Sequence, residues 1–367
     1  MIPSNLTPAA PEALRSDSDQ WQEWDRFVEA SADPGLMQTS WWAEFRAWAG
    51  YRCFGITIKD RGAILGGAMV MKRCFGPHAC FYCICDGPVL PADEEAAGEV
   101  FQAILDVVER HRIEEYHIVS HLRIEPRWGR VPEFVSGFQL LARGDRYSEP
   151  RDTLCIDLRP SMDEILAQMK PKGRYNVRLA QRHGVAVCED TSEGGLADFV
   201  RIHGDTAARR RIDPKSPAYF EKLLSMLSPR QRISIFFAEH QGRRLATALV
   251  VYFGRRATYF FGGSLDVDRH VMAPYALHYE IMRRVRERGC ECYDLWGVAP
   301  PSRADDPWQG ISAFKRKFGG HELSLVPTLD RIYDAAAYRA YGLAAAAWSL
   351  RNIAGRPGSR VHETVEA

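Results

Sequence analysis

At 367 residues the chain can bury a large core and is long enough for two domains. Hydrophobic residues make up 46% and charged residues 26%, the balance of an ordinary globular protein. Lys+Arg 48 against Asp+Glu 47 leaves a net charge of +1, which excludes attraction of a polyanion by overall charge; any such partner must be met by a local patch.

The first residues, to about Asp17, read as a disordered leader. MIPSNLTPAAPEAL has neither a basic start nor an apolar core, so no secretory signal is expected. The odd count of 9 cysteines then fits a reducing cytoplasm. Trp21, Trp24 and Val28 mark the apolar face of a helix. A second helix begins near Ser40, with Trp41, Trp42 and Phe45 facing inward and Arg46 close to its end. Cys83 and Cys85 alternate within an aromatic strand, and Cys290 and Cys292 do the same, so buried thiols are favoured over zinc and no metal is expected.

From Tyr51 the chain reads as a hairpin, an aromatic strand, a helix over Glu94–Arg110 and an apolar strand over Tyr116–Ser120. Ser161 and Glu164 have capping-box spacing and start a short helix burying Met162, Ile165, Leu166 and Met169. Pro171 breaks it, and a second helix runs from about Gly173 until Gly184. Arg174, Arg178 and Arg182 fall at i, i+4 and i+8 on that helix, with Lys170, Lys172 and His183 close by. Like charges at this spacing cost roughly 0.2–0.5 kcal/mol per pair. The row reads equally as a phosphate-binding face and as a solvated one. Arg209-Arg210-Arg211 is open in the same way.

The hairpin then returns as RISIFFAEHQGRRLATALVVYFGRRATYFFGGSL, followed by a helix over Pro274–Arg288 and a strand over Tyr293–Val298. The spacing from Ala68 to Ala248, Tyr82 to Tyr259 and Tyr116 to Tyr293 is nearly constant. The fold class is therefore α/β (α+β): two tandem units with mixed sheets, in the element order of the GNAT acyltransferase fold, plus a C-terminal helix. The expected division is 18–160 and 161–321, with a strand within 322–332 returning to the first domain and a helix and tail over 333–367.

A GNAT enzyme cradles the pyrophosphate of acetyl-CoA on backbone N–H groups between the aromatic strand and the crossover helix. Here the second half has Arg269-His270-Val271-Met272-Ala273-Pro274, where Pro274 has no N–H to donate. The first half has the acidic run Pro91–Glu95. Acetyl-CoA is disfavoured and no cofactor is expected.

After a Pro-rich loop, Phe314 and Phe318 point one way from a short helix and Lys315, Arg316 and Lys317 elsewhere. A strand through Leu323–Val326 follows. The Ala-rich helix from Asp334 to about Asn352 carries Tyr338, Tyr341, Leu343, Trp348 and Leu350 and is too short in its uncharged run to span a membrane. Docking on the body is favoured over lying on a membrane surface.

QMKPKGRYNVRLAQRHGV resembles a signature of the Fem family of non-ribosomal aminoacyltransferases. YFFGGSLDVDRHVMAPYALHYEIMRRVRERGCECYDLWGV, closed by FKRKFGG, is similar to the family's second-domain signature; together they cover most of residues 38 to 330. The resemblance implies transfer of an amino acid from aminoacyl-tRNA to an amine of a peptidoglycan precursor stem peptide. The acceptor would be UDP-MurNAc-pentapeptide or its lipid-linked form, and the enzyme a cytoplasmic monomer with peripheral contact at the inner face of the membrane left open.

By the same resemblance, Lys215 and Tyr219 in KSPAY hold the precursor's nucleotide-sugar end, where the family more often has Arg at the first position. Arg46 matches a precursor-binding Lys. Phe314 and Lys315 match the catalytic pair at the tRNA acceptor end, and Tyr259 an aromatic lining that channel, though its place in an aromatic strand favours core over site. Lys172, Arg174, Arg178, Arg182 and Lys317 would meet RNA phosphates. Cys85-Asp86-Gly87-Pro88 departs from the family's Arg-Gly-Pro and bears on the acceptor.

The implied reaction is aminolysis of an ester, with the amine's proton going to the precursor itself or to a carboxylate such as Asp294. Two rivals stay open: the same chemistry on a non-wall acceptor, and a CoA-dependent N-acyltransferase or a binding module that kept the fold.

Overall fold

The structure, a computed structural model, describes residues 6–8, 12–13, 18–141, 150–210, 214–300, 303, 306 and 308–354, with side chains omitted for 6–8, 12–13 and 347–354. The chain divides into two units. The first runs to Arg151 and resumes at Leu325; the second is Asp152–Ser324.

The first unit contains β1 (Leu6–Pro8), β2 (Glu12–Ala13), α1 (Asp19–Ala30), α2 (Ser40–Trp48), β3 (Arg52–Asp60), β4 (Ala63–Cys74), β5 (Ala79–Cys85), α3 (Glu94–Glu114), β6 (Ile118–Glu125) and β7 (Gln139–Leu140). α1 buries Trp21, Trp24 and Val28 as their spacing predicts. Thr39 starts α2 by accepting from the Trp42 N–H at 3.2 Å. β5 and β6 are parallel, joined by the crossover helix α3. The core of this unit gathers Ile56, Ile58, Tyr82, Phe101, Ile104 and Leu122.

The leader departs from expectation. β1 and β2 both pair antiparallel with β3, so Leu6–Pro8 and Glu12–Ala13 cover what would be an open sheet edge. Its other residues lie outside the described ones.

The second unit contains β8 (Asp152–Asp157), α4 (Met162–Gln168), α5 (Pro171–Arg182), β9 (Ala186–Glu189), α6 (Glu193–Arg210), α7 (Pro217–Leu227), β10 (Ile233–His240), β11 (Arg243–Phe253), β12 (Arg256–Ser264), α8 (Ala273–Glu287), β13 (Cys292–Gly297), α9 (Gln309–Lys315) and β14 (His321–Ser324). The capping box of Ser161 and Glu164 is formed, and Pro171 sits in the first turn of α5, starting that helix as well as ending the one before. The sheet order is β14-β8-β13-β12-β11-β10-β9. Its core holds Phe236, Val250, Ile281, Tyr293, Leu295 and Phe318.

The duplication extends to the backbone. The hairpin β3–β4 turns on Arg61 and Gly62, at φ 47° and 89°; the hairpin β10–β11 turns on Gln241 and Gly242, at φ 51° and 76°. Two residues at positive φ between antiparallel strands make the turn that matches strand twist. Just before each turn the ladder shifts register, at Ile58/Lys59 and at Ala238/Glu239.

The boundaries also differ from the sequence reading. β8 lies before residue 160 yet belongs to the second sheet, between β13 and β14. The span 322–332 is shared: β14 stays on β8, and β15 (Leu329–Ile332) pairs with β6 and β7 in the first unit. Gly320 lets β14 start there, because a Cβ on it would lie 2.4 Å from the Cys155 carbonyl oxygen. In the first unit α10 (Ala335–Ala354) docks on β6, with Tyr341 buried among Phe75, Phe81 and His121. The side chains of Trp348 and Leu350 lie outside the described residues.

Candidate active site

In the second unit the parallel pairing of β12 with β13 covers only Arg256–Thr258 against Cys292–Asp294. Phe260 is an extra residue in the β11–β12 ladder, where Leu249 faces Phe261 and Val250 faces Tyr259. Such a bulge bends a strand and re-aims the side chains beside it. Lys315 enters beside the strands from the last turn of α9: its Nζ donates to the Gly297 carbonyl at 2.7 Å and stands 5.9 Å from the centre of the Tyr259 ring.

Lys315 is only 6% exposed. Burial pulls its pKa down to about 7, against the opposing pull of the Asp294 carboxylate. Aromatic groups close around it. The His278 ring lies 4.7 Å from Tyr259, 5.6 Å from Phe314 and 5.1 Å from Phe318, and Phe314 is 5.2 Å from Tyr275. Burial, then the nearby Lys315 charge, lowers His278 to about 3, so it is neutral; its Nδ1 is hydrogen-bonded to the Tyr293 hydroxyl at 2.8 Å. Burial pushes Tyr259 up to about 12. The site thus pairs one titrating amine with a neutral aromatic wall, an arrangement suited to charge developing on a carbonyl oxygen.

Two stretches singled out in the sequence meet here. The Lys170 N–H donates to the Lys317 carbonyl at 3.1 Å, and a Cβ on Gly319 would lie 2.8 Å from the Gln168 carbonyl oxygen. Lys317 itself donates to the Tyr275 hydroxyl at 3.2 Å.

The arginine row is not uniform. Arg174 turns back, its Nη1 donating to Ala167 O at 2.9 Å and to Met169 O, where it satisfies carbonyls at the end of α4. Lys172, Arg178 and Arg182 are exposed; among the described residues no carboxylate pairs with them, and Arg182 sits 5.9 Å over the Tyr175 ring. Arg209 donates to Thr206 Oγ1 at 3.2 Å and to Ser264 O, and Arg211 lies outside the described residues.

Elsewhere in the second unit, Ser216 caps α7 by accepting from Tyr219 N–H at 3.3 Å; Lys215 Nζ sits 5.6 Å over the Tyr219 ring, which packs 6.0 Å from Phe261. In the first unit Arg46 stacks its guanidinium 4.3 Å over Tyr51. There Asp86 is buried at φ 57°, with Arg127 Nη1 3.6 Å from its carboxylate.

The crossover loops do not fit a pyrophosphate. Asp93 occupies the start of α3 by accepting from Ala96 N–H at 2.9 Å, placing negative charge there. At α8 the left-handed Met272 (φ 57°) precedes a first turn that includes Pro274. Among the described residues no group of three or more His, Cys, Asp or Glu could hold a metal ion. Cys83 and Cys85 are buried with their sulfurs 3.2 Å apart.

His278, Tyr293 and Tyr275 were not legible as site residues. A lone His on an apolar helix face carries no signal of its own, and only the fold brings His278 beside Lys315.

The two units repeat one mixed-sheet plan, each with a crossover helix between parallel strands, and in the second a lysine lies buried beside β12 and β13. A sequence model of the FemAB family matches residues 135–241 and 231–345, more than half of the chain, and the chain belongs to that family. It is 25% identical over 193 residues to the UDP-N-acetylmuramoylpentapeptide-lysine N(6)-alanyltransferase of Weissella viridescens, covering 52% of this chain and 56% of that one, little over half the relative's length. It is 20% identical over 392 residues to the lipid II:glycine glycyltransferase of Staphylococcus aureus (strain MRSA252), covering 87% of this chain and 93% of that one. Among solved structures, the crystal structure of FemX superposes with a TM-score of 0.78 at 20% identity, over 87% of this chain and 97% of that one, which establishes the shared fold. No helix among the described residues is long and apolar enough to cross a membrane.

Proposed function

We propose that this chain is an aminoacyltransferase that moves an amino acid from aminoacyl-tRNA to an amine of a peptidoglycan precursor stem peptide. The observation that carries the reading is Lys315, buried beside the parting strands β12 and β13 and flanked by Phe314 and Tyr259. The named activities of the two relatives support it. The acceptor amine attacks the ester carbonyl carbon, the carbonyl oxygen gains charge, and the ribose oxygen of the tRNA leaves with the proton the amine sheds. In its ammonium form Lys315 donates to that oxygen, and Phe314 and Tyr259 line the channel. Lys172, Arg178, Arg182 and Lys317 meet RNA phosphates, with Arg174 holding the end of α4. Arg46, Lys215 and Tyr219 hold the precursor, as UDP-MurNAc-pentapeptide or its lipid-linked form. The protein acts as a cytoplasmic monomer, with peripheral contact at the membrane for a lipid-linked acceptor.

Incubation with radiolabelled aminoacyl-tRNA and each precursor form tests this reading. Label in the precursor supports it; label left on tRNA with both forms contradicts it. The buried Asp86 favours a second reading, the same reaction on a non-wall amine, because an acid where the family pattern has a base changes which acceptor fits. Label moving to a non-wall peptide amine alone would select that reading.

A further inference from the structure

We propose that Asp294 is a positioning residue for Lys315, acting through a β-bulge at Trp296 that Thr153 helps to hold. This rests on the role given to Lys315 above. Along β13 the ladder to β8 pairs Asp294 with Cys155 and then Gly297 with Thr153, so Leu295 and Trp296 together face the single residue Leu154. Trp296 takes φ 62°, a left-handed conformation rare for a bulky side chain. Two hydrogen bonds hold it there. The Trp296 N–H donates to Asp294 Oδ1 at 2.8 Å, and the Thr153 hydroxyl donates to the same oxygen.

The bulge has a direct consequence. Successive residues of a strand point to opposite sides, so one inserted residue reverses the direction of everything after it. Gly297 follows the insertion, and its carbonyl is the acceptor of Lys315 Nζ. Helix α9 does not depend on this contact. Ser312 Oγ accepts from Ala299 N–H at 2.8 Å, and Arg316 Nη2 donates to Ala299 O at 2.6 Å. Losing Asp294 would therefore misdirect the carbonyl that orients the Lys315 amine.

Asp294 also supplies charge. Among the described residues, the titratable groups facing Lys315 are Asp294 from β13, Tyr259 from β12 and His278 from α8, of which Asp294 alone is a carboxylate. Around Asp294 itself stand Cys155 and Cys292, with Arg256 beside the two thiols.

The test uses the full chain with carbon-13-labelled lysine, following the Lys315 side-chain resonance across pH by NMR, with Lys315→Met to assign it. No substrate is needed, so this readout stands even if the transferase reading fails. Asp294→Asn keeps an acceptor for the Trp296 N–H and removes the charge; its Lys315 midpoint should fall by about one pH unit relative to wild type. Asp294→Ala removes both, and its transfer kcat should fall by about 100-fold with KM little changed. Adding Trp296→Gly to Asp294→Ala should restore part of kcat, since glycine takes a left-handed φ without help. A Lys315 midpoint unmoved in Asp294→Asn and Asp294→Ala would overturn the proposal, as would kcat equal to wild type in Asp294→Ala.

Discussion

Gly173 on α5 lies so close to Lys317 that a Cβ built on the glycine would stand 2.1 Å from the Lys317 carbonyl oxygen. Alanine is the better helix former by about 1 kcal/mol, so propensity alone favours replacing this glycine. Overpacking against backbone costs about 1–3 kcal/mol, and here the obstacle is a carbonyl that cannot swing away. Gly173→Ala should therefore lose up to about 2 kcal/mol in urea unfolding. A gain in stability would show that α5 and the Lys317 turn do not meet as described.

Lys315 should make stability depend on pH in a way opposite to a salt-bridged lysine. Its folded pKa of about 7 lies below the ordinary lysine value of 10.5, so between those values the unfolded chain holds a proton that the folded chain has shed. Stability then rises with pH across that window, by at most about 1.4 kcal/mol per pH unit from this group, and is flat below it. Lys315→Met removes the effect: it should exceed wild type in stability at pH 6, with the gap narrowing toward pH 10. Parallel stability curves for the two proteins would refute this.

Lys172, Arg178 and Arg182 should govern RNA affinity through charge alone. Replacing each with Gln should weaken tRNA binding and lower the slope of log affinity against log salt by about 0.7–0.9 for each phosphate no longer neutralised. Arg174→Gln should instead lose about 1 kcal/mol of stability, because its guanidinium serves the carbonyls of Ala167 and Met169. Filter binding across a salt series, with unfolding measured beside it, separates the two behaviours. An unchanged slope in all three exposed variants would remove α5 from the RNA surface.

In the first unit, Arg123 and Asp330 form a buried pair at 2.9 and 2.7 Å, and Tyr338 donates to the same carboxylate at 2.9 Å. Asp330→Ala leaves the buried guanidinium with the Tyr341 hydroxyl but without its carboxylate, which costs about 3–5 kcal/mol. Replacing both, as Arg123→Met with Asp330→Leu, should recover most of that loss by thermal unfolding. A double variant as unstable as Asp330→Ala would show that the loss comes from packing of α10 and not from the stranded charge.

Much of this fold is legible because local patterns and tertiary structure agree. The hairpins, the aromatic strands and the crossover helices α3 and α8 all follow from alternation and helical spacing, and the capping box at Ser161 forms as its spacing predicts. β8 shows where that stops. Its six residues carry no turn signal, and their partners on β13 and β14 come much later in the chain, so the capping box after it resembles the start of a domain. The expected strand at Leu323–Val326 is displaced for a related reason, since Gly320 brings the chain onto β8 earlier. At the site, the spacing of Phe314 and Phe318 fixes the inward face of the turn. The burial of Lys315 depends on the Gly297 carbonyl and the bulge at Trp296, which no local pattern encodes.

A buried lysine that assists ester aminolysis is tested most directly by a single-turnover transfer assay comparing wild type with Lys315→Ala, using radiolabelled aminoacyl-tRNA and a peptidoglycan precursor. Wild type should move label from tRNA to the precursor, and the variant, folded and still binding tRNA, should do so about 100- to 1000-fold more slowly. Equal rates for the two proteins would contradict a role for Lys315 in the chemistry.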